Sequence, residues 1–323
     1  MIRRPPRSTH CISSAASDVY KRQGYVIIKN ALTANEASKT LDLLWDYLEN
    51  LGTGIDRTNP LTWSDDKWPT CAHGGIIPSY GIGHSEAQWF VRGVPNVKKA
   101  FAKVWETNDL LTSFDGVSLW RPWNIDPSWK TQSGQAWFHI DQHPISKPGK
   151  QCIQGLINLL PTSKEIGGNV VIPKSHNFFK DIPEEYKERV ERLPLDIDHF
   201  RFPHDDPKLS SEPAVMAHME PGDMLLWDSR TIHCSSSGSS LPQGTNDLIR
   251  AASLICMMPK ELSSKEILEK RIHAAENLVS TTNWTNDFRN ADEFPIILEA
   301  ENRDQYKWPK KPNLSDYQKE LIA

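Results

Sequence analysis

WFHIDQHP, residues 137–144, sets His139, Asp141 and His143 at every second position of one short run. In a β-strand, side chains two apart point to the same side. Trp137 favours a strand, whereas Pro144 cannot donate to a ladder and closes it. His139 and Asp141 could then grip one ion together, with a third ligand supplied from elsewhere. A surface strand carrying two solvated histidines fits this stretch equally well. The rest of the chain has to decide.

From Val117 onward short β-like runs dominate: VSLW, AWFHI, CIQGLINLL, NVVI, DMLLW and LIRAASLICMM. Turn signals at 167–168 (GG) and 221–223 (PGD) separate them. The segment 177–213 interrupts the series, being charged, proline-containing and helical around 183–192. Before the series, GYVIIKN (24–30) reads as a strand and 31–52 as a helix. Thr33 can cap that helix, Glu36 completes a capping box and Gly52 ends it. Leu41, Leu44, Trp45 and Leu48 form its apolar stripe. Residues 53–88 show no periodicity, and a loop that long in a compact domain is functional or disordered. Residues 95–112 again read as helix, and one more helix follows Lys260 before a polar end. Helices followed by many short strands predict a β-sandwich or barrel core with helices packed on it, not a doubly wound sheet.

Residues 1–23 are set outside this fold. They hold five Arg or Lys against the single acid Asp18, with four serines and no apolar run. A transit peptide has that composition. The stretch resembles more closely translated sequencing-adapter read-through, so the native start and any targeting signal are expected to be missing. Residues 24–323 are then one domain, with a barrel core at about 115–259. Of 37 basic and 41 acidic residues in the full chain, 32 and 40 remain, a net charge of −8. An acidic chain without a Lys/Arg block lacks the electrostatic footprint of a nucleic-acid binder. No run approaches the ~18 apolar residues of a membrane span. Cys71, Cys152, Cys234 and Cys256 form no CxxC or dense framework, which suits a reducing compartment, cytoplasmic or organellar. A monomer acting on a small molecule is the expectation.

A third ligand can come from several histidines, among them His73, His84, His176, His199, His204 and His218. His233 ends PGDMLLWDSRTIHCSS, where a tight turn feeds an apolar strand. A histidine there sits near a barrel mouth and can complete a site begun at Asp141. Arg250 opens a further apolar run, RAASLICMM. A guanidinium pointing into a barrel needs an anionic partner, because a buried unpaired charge is costly. A structural salt bridge would meet that need as well.

With these residues assembled, the chain resembles the phytanoyl-CoA dioxygenase family of iron- and 2-oxoglutarate-dependent oxygenases. The resemblance spans most of Gly24–Pro259. It rests on GYVIIKN plus a helix, the HxD of His139 and Asp141, GGNVVIPKSH (167–176), PGDMLLWDSRTIHCSS (221–236) and the Arg250 strand. It implies a double-stranded β-helix, a jelly-roll barrel with helices outside. It further implies Fe(II), 2-oxoglutarate and O2 as cofactor and cosubstrates, with His139, Asp141 and His233 as the metal ligands. Arg250, helped by Ser235, would hold the distal carboxylate of 2-oxoglutarate. Two imidazoles and a carboxylate on one face of iron leave three coordination positions for cosubstrates. Asp141, standing where a halogenase would have Gly or Ala, favours hydroxylation, with 2-oxoglutarate decarboxylated to succinate. The His233–Arg250 spacing exceeds the family's usual one, through the inserted SGSSLPQGTND (237–247).

Substrate contacts are less defined. Gln154, Arg121, Trp137 and His143 are candidates, and His143 is read as pocket-lining or structural. Trp120, Trp123, Trp129 and Trp137 form either an apolar mouth or part of the core. Asp228 and Arg230 are expected to pair structurally. A zinc-dependent, cupin-like hydrolase uses the same ligand types but needs no Arg250. A non-catalytic ligand-binding barrel needs no metal at all.

Overall fold

The computed structural model describes residues 14–73, 75–131 and 137–323. Thirteen short strands are named within these residues, and every pairing among them is antiparallel. The larger sheet has the order β1 (Tyr25–Ile28), β10 (Met224–Asp228), β6 (Ile153–Asn158), β12 (Arg250–Leu254), β4 (Val117–Trp120), β2 (Ile76–Ile77). The smaller has the order β8 (Phe200–Arg201), β5 (His139–Ile140), β11 (His233–Ser237), β7 (Gly167–Val171), β9 (Val215–Met216). A separate ribbon joins β3 (Leu110–Thr112) to β13 (Met257–Pro259). Neighbours in both large sheets are distant in sequence, the mark of a jelly roll rather than a meander.

Strand alternation sorts the apolar residues into layers. Tyr25, Ile27, Leu156, Leu225, Trp227 and Ala252 from the larger sheet meet Val171 and Val215 from the smaller one. The alternate residues Val26, Ile28, Ile153, Ile157 and Leu226 face outward into a core shared with helices. Those helices include α1 (Ser14–Gln23), α2 (Ala34–Asn50), α3 (Glu86–Arg92) and α4 (Pro95–Trp105). The expected capping box of α2 forms: Thr33 accepts from the Glu36 amide, and the Glu36 carboxylate accepts from the Thr33 amide at 2.7 Å. Such a cap contributes about 1 kcal/mol. Leu44, Trp45 and Leu48 are buried on its inner face.

Four expectations are revised. The helix predicted over 95–112 stops at Trp105, because Glu106 is left-handed with φ of 62° and the chain turns into β3. The loop 53–88 contributes β2 and the start of α3. The segment 177–213 is no mere interruption: it supplies β8 and β-edge cover. Its short helices α5 (Ile182–Glu185) and α6 (Lys187–Glu191) bury Ile182 and Val190 with Phe200 and Phe202 over the outer face of the smaller sheet. Finally, of residues 1–23, 1–13 lie outside the described residues, but 14–23 form α1. Tyr20 is only 3% exposed there and its hydroxyl donates to Asp228 at 3.3 Å. Ala16 and Tyr20, four residues apart, join the core shared with the helices, a contact too sparse to show as an apolar run in the sequence.

The PGD turn uses its glycine for a stated reason. Gly222 has φ of +89°, and a Cβ there would collide with the Leu32 carbonyl oxygen, which lies against the turn. That close approach registers β10 beside β1. After β13 the chain continues through α7 (Lys265–Asn277). No helix among the described residues is long and apolar enough to cross a membrane, and Cys71, Cys152, Cys234 and Cys256 are free thiols.

Candidate metal centre

The register of the smaller sheet brings the histidines together. β11 pairs with β5 so that His233 stands directly opposite His139, and the two rings are 4.5 Å apart. Strand β5 ends at Ile140, and the Asp141 amide leaves the ladder to donate to the Ser229 carbonyl at 2.9 Å. Its carboxylate therefore reaches between the rings. His139 Nε2 lies 3.2 Å from Asp141 Oδ1, and His233 Nε2 lies 3.2 Å from Oδ2. Ligand atoms of all three residues fall within 4.8 Å of one another, so the group could hold one metal ion.

Both imidazoles are presented in the same tautomer. His139 Nδ1 lies 2.8 Å from the Trp137 carbonyl oxygen and His233 Nδ1 lies 2.9 Å from the Thr231 carbonyl oxygen. A carbonyl only accepts, so each Nδ1 carries the proton and each Nε2 keeps its lone pair for a metal. Burial opposes charge on Asp141, yet His139 and His233 hold its carboxyl well below the usual range. Burial likewise opposes charge on His139, and the Asp141 carboxylate outweighs it to raise the imidazole above its ordinary value. The donor set of two neutral-capable nitrogens and one carboxylate fits a divalent iron.

Aromatic rings brace this cluster. Trp137 stacks on His139 at 4.8 Å and 22°, and its indole N–H donates to the Ser235 carbonyl at 2.9 Å. His73 also stacks on Trp137, at 4.8 Å. Trp227 packs 5.4 Å from His233. Sequence reasoning missed His73 and Trp227 as supports, since MLLW (224–227) is an unbroken apolar run that does not say which face Trp227 takes.

Arg250 begins β12 opposite Trp120 and lies on the face of that strand shared with Ala252, which looks into the space between the sheets. It is 2% exposed, its guanidinium sits 4.5 Å over the Trp120 ring, and its Nε has no hydrogen-bond partner. No acidic residue pairs with it among the described residues, so the salt-bridge reading is not met. Burial alone pushes its pKa down to about 10. Two further orphaned atoms, Asn169 Oδ1 and Ser237 Oγ, belong to strands β7 and β11 of the opposing sheet. Ser235 lies between His233 and Ser237 on β11, paired with Asn169.

The remaining candidates separate. Gln154 is beside the cluster, donating to Asp141 Oδ2 at 2.9 Å. Arg121 points the other way: it donates to the Trp63 carbonyl at 2.6 Å, pairs with Asp65 at 2.6 Å and covers Trp68 and Trp129. It lines an open cavity of about 1010 Å³ with Asp66, Cys71 and Glu301. Trp120, Trp123 and Trp129 are core residues. Asp228 and Arg230 pair at 2.7 Å as expected.

His143 stands apart from the ligand group. It is fully buried, and its Nδ1 accepts from the amides of Ile145 and Ser146, each at 3.0 Å. That is a turn-closing role. His143→Ala strands two amides and should cost about 1–3 kcal/mol, seen as a lower Tm, while a metal titration stays near wild type.

A two-sheet jelly roll whose neighbouring strands β5 and β11 bring two histidines and a carboxylate together is the framework of a facial-triad metalloprotein. The phytanoyl-CoA dioxygenase (PhyH) family model matches residues 20–241. This chain belongs to that family and is an iron- and 2-oxoglutarate-dependent oxygenase. "Ava biosynthesis cluster protein O" of Aspergillus versicolor is 33% identical over 273 residues, covering 82% of this chain and 84% of that one. A putative phytanoyl-CoA dioxygenase of Dictyostelium discoideum is 22% identical over 307 residues, covering 84% and 82%. Among solved structures, AviO1 from Streptomyces viridochromogenes aligns with a TM-score of 0.50 at 14% identity, covering 78% of this chain and 98% of that one. That likeness supports the fold.

Proposed function

We propose that this oxygenase hydroxylates a small organic substrate while 2-oxoglutarate is decarboxylated to succinate. Iron would be held by His139, Asp141 and His233, and the distal carboxylate of 2-oxoglutarate by Arg250 with Ser235. The observation that carries the reading is Arg250: a fully buried cation with no acidic partner among the described residues, facing the same inter-sheet space as the triad. A zinc hydrolase needs no such charge, and a binding barrel that used it for an anionic ligand would need no metal triad beside it.

Bound iron with 2-oxoglutarate and dioxygen supplies the oxidising power that no side chain has. The chain's own part is to bind, orient and shield. The carbonyls of Trp137 and Thr231 take the Nδ1 protons, so each neutral ring would offer its Nε2 lone pair to the metal, and Asp141 contributes a single negative charge. Arg250 compensates the dicarboxylate far from water, where a charge-assisted bond is strongest. Val171, Leu225 and Ala252 wall the space and exclude solvent. No residue is needed as a general base.

The test is formation of succinate from 2-oxoglutarate with Fe(II) across a panel of candidate small molecules. Turnover stimulated by one substrate, with an added oxygen atom in the product, supports the proposal. Metal-dependent hydrolysis without 2-oxoglutarate would overturn it.

A further inference from the structure

Asp141 is restrained from the opposite sheet. Gln154 lies on β6 of the larger sheet, while Asp141 follows β5 of the smaller one. The Gln154 side chain is 7% exposed, and its amide nitrogen donates to Asp141 Oδ2 at 2.9 Å. The orientation of the amide follows from the partner, since an ionised carboxylate only accepts. Facing sheets stand about 10 Å apart, so a residue bridging them needs glutamine's length; serine or asparagine would fall short. A lysine or arginine would reach, but its charge would cancel the anion that a divalent metal requires. A neutral amide holds the carboxylate without neutralising it.

The register adds a second support. Gln154 pairs across the ladder with Trp227, which packs against His233. Adjacent inward residues of the larger sheet thus back two members of the triad. The two carboxylate oxygens each lie 3.2 Å from a histidine Nε2, Oδ1 from His139 and Oδ2 from His233, and they differ in that Oδ2 also receives Gln154.

We propose that Gln154 is a positioning residue for the metal, fixing the rotation of the Asp141 carboxylate so that one oxygen, Oδ1, is offered as ligand. With Oδ2 already accepting a hydrogen bond, two-oxygen chelation would be disfavoured, which would leave coordination positions for the cosubstrates. This rests on the reading of the triad as the metal site. It differs from a substrate-contact role for Gln154, which would leave metal affinity untouched.

The experiment is titration of Co(II) into metal-free protein, followed by calorimetry and visible absorption. Gln154→Met keeps the length and removes the donor. Loss of such a partner weakens metal binding about 10–100-fold, so that range is expected, with an altered cobalt spectrum and a melting temperature near wild type. Gln154→Leu serves as the second variant if the methionine protein folds poorly. A variant that folds, binds cobalt as tightly as wild type and shows the same spectrum overturns the proposal alone. A wild-type protein that binds neither Co(II) nor Fe(II) overturns the metal-centre reading, and this proposal with it.

Discussion

His139→Ala, Asp141→Ala and His233→Ala should each abolish Fe(II) binding and turnover while the two sheets stay folded. These three side chains form the group that could hold a metal ion among the described residues, so on that reading losing one should exceed the 10–100-fold effect typical of an outer-shell partner. The folded state survives because the apolar layers lie elsewhere, in residues such as Leu156, Leu225 and Ala252. Thermal melting separates the two effects. A ligand present at 100 times its Kd adds about 2.7 kcal/mol to stability, which raises the Tm of a domain this size by several degrees. Wild type should show that rise with Fe(II), and the three variants should not. If one variant kept the metal-induced rise, that residue would not be a ligand.

Arg250→Ala should leave metal binding intact and weaken 2-oxoglutarate binding about ten- to a hundredfold or more. A hydrogen bond to a charged group contributes about 1.5–3 kcal/mol, and each 1.4 kcal/mol is a factor of about ten. Arg250→Lys should fall between the two, since a compact ammonium does not reproduce the planar fork. The ligand-free protein adds a prediction of opposite sign. Contact with the Trp120 face stabilises the cation by about 0.5–2 kcal/mol. The penalty for burying an uncompensated ion is several kcal/mol, so burial wins, in line with a pKa pushed down to about 10. Arg250→Met should therefore melt higher than wild type without 2-oxoglutarate, and gain little when it is added. Anaerobic titration of the Fe(II) protein, following the metal-to-ligand charge-transfer band, measures the affinity directly. An unchanged affinity would remove Arg250 from the cosubstrate site.

The chemistry-bearing residues were legible in the sequence because they are tied to local patterns. An HxD at strand spacing, a histidine ending an apolar strand and an arginine opening another are one-dimensional signals, and the triad assembles from them. The capping box of α2 is equally local, resting on Thr33 and Glu36 alone. The supports were not legible. Gln154 and Asp141 touch because β6 and β5 belong to different sheets that face each other, and His73 reaches Trp137 from a loop without periodicity.

By itself the sequence determined the strand-rich fold class and the His139–Asp141 pair, since residue type and a spacing of two carry that information, while His233 and Arg250 were singled out by the family resemblance. Tertiary structure decided what each one faces. It turned Arg121 outward onto Trp68 and Trp129, and His143 inward to close a turn. It set His233 opposite His139 through a register between strands more than ninety residues apart, and left Arg250 buried without an acidic partner among the described residues. Alternation along a strand says that a side chain leaves one face. Only the packing of one sheet on another says what is waiting there.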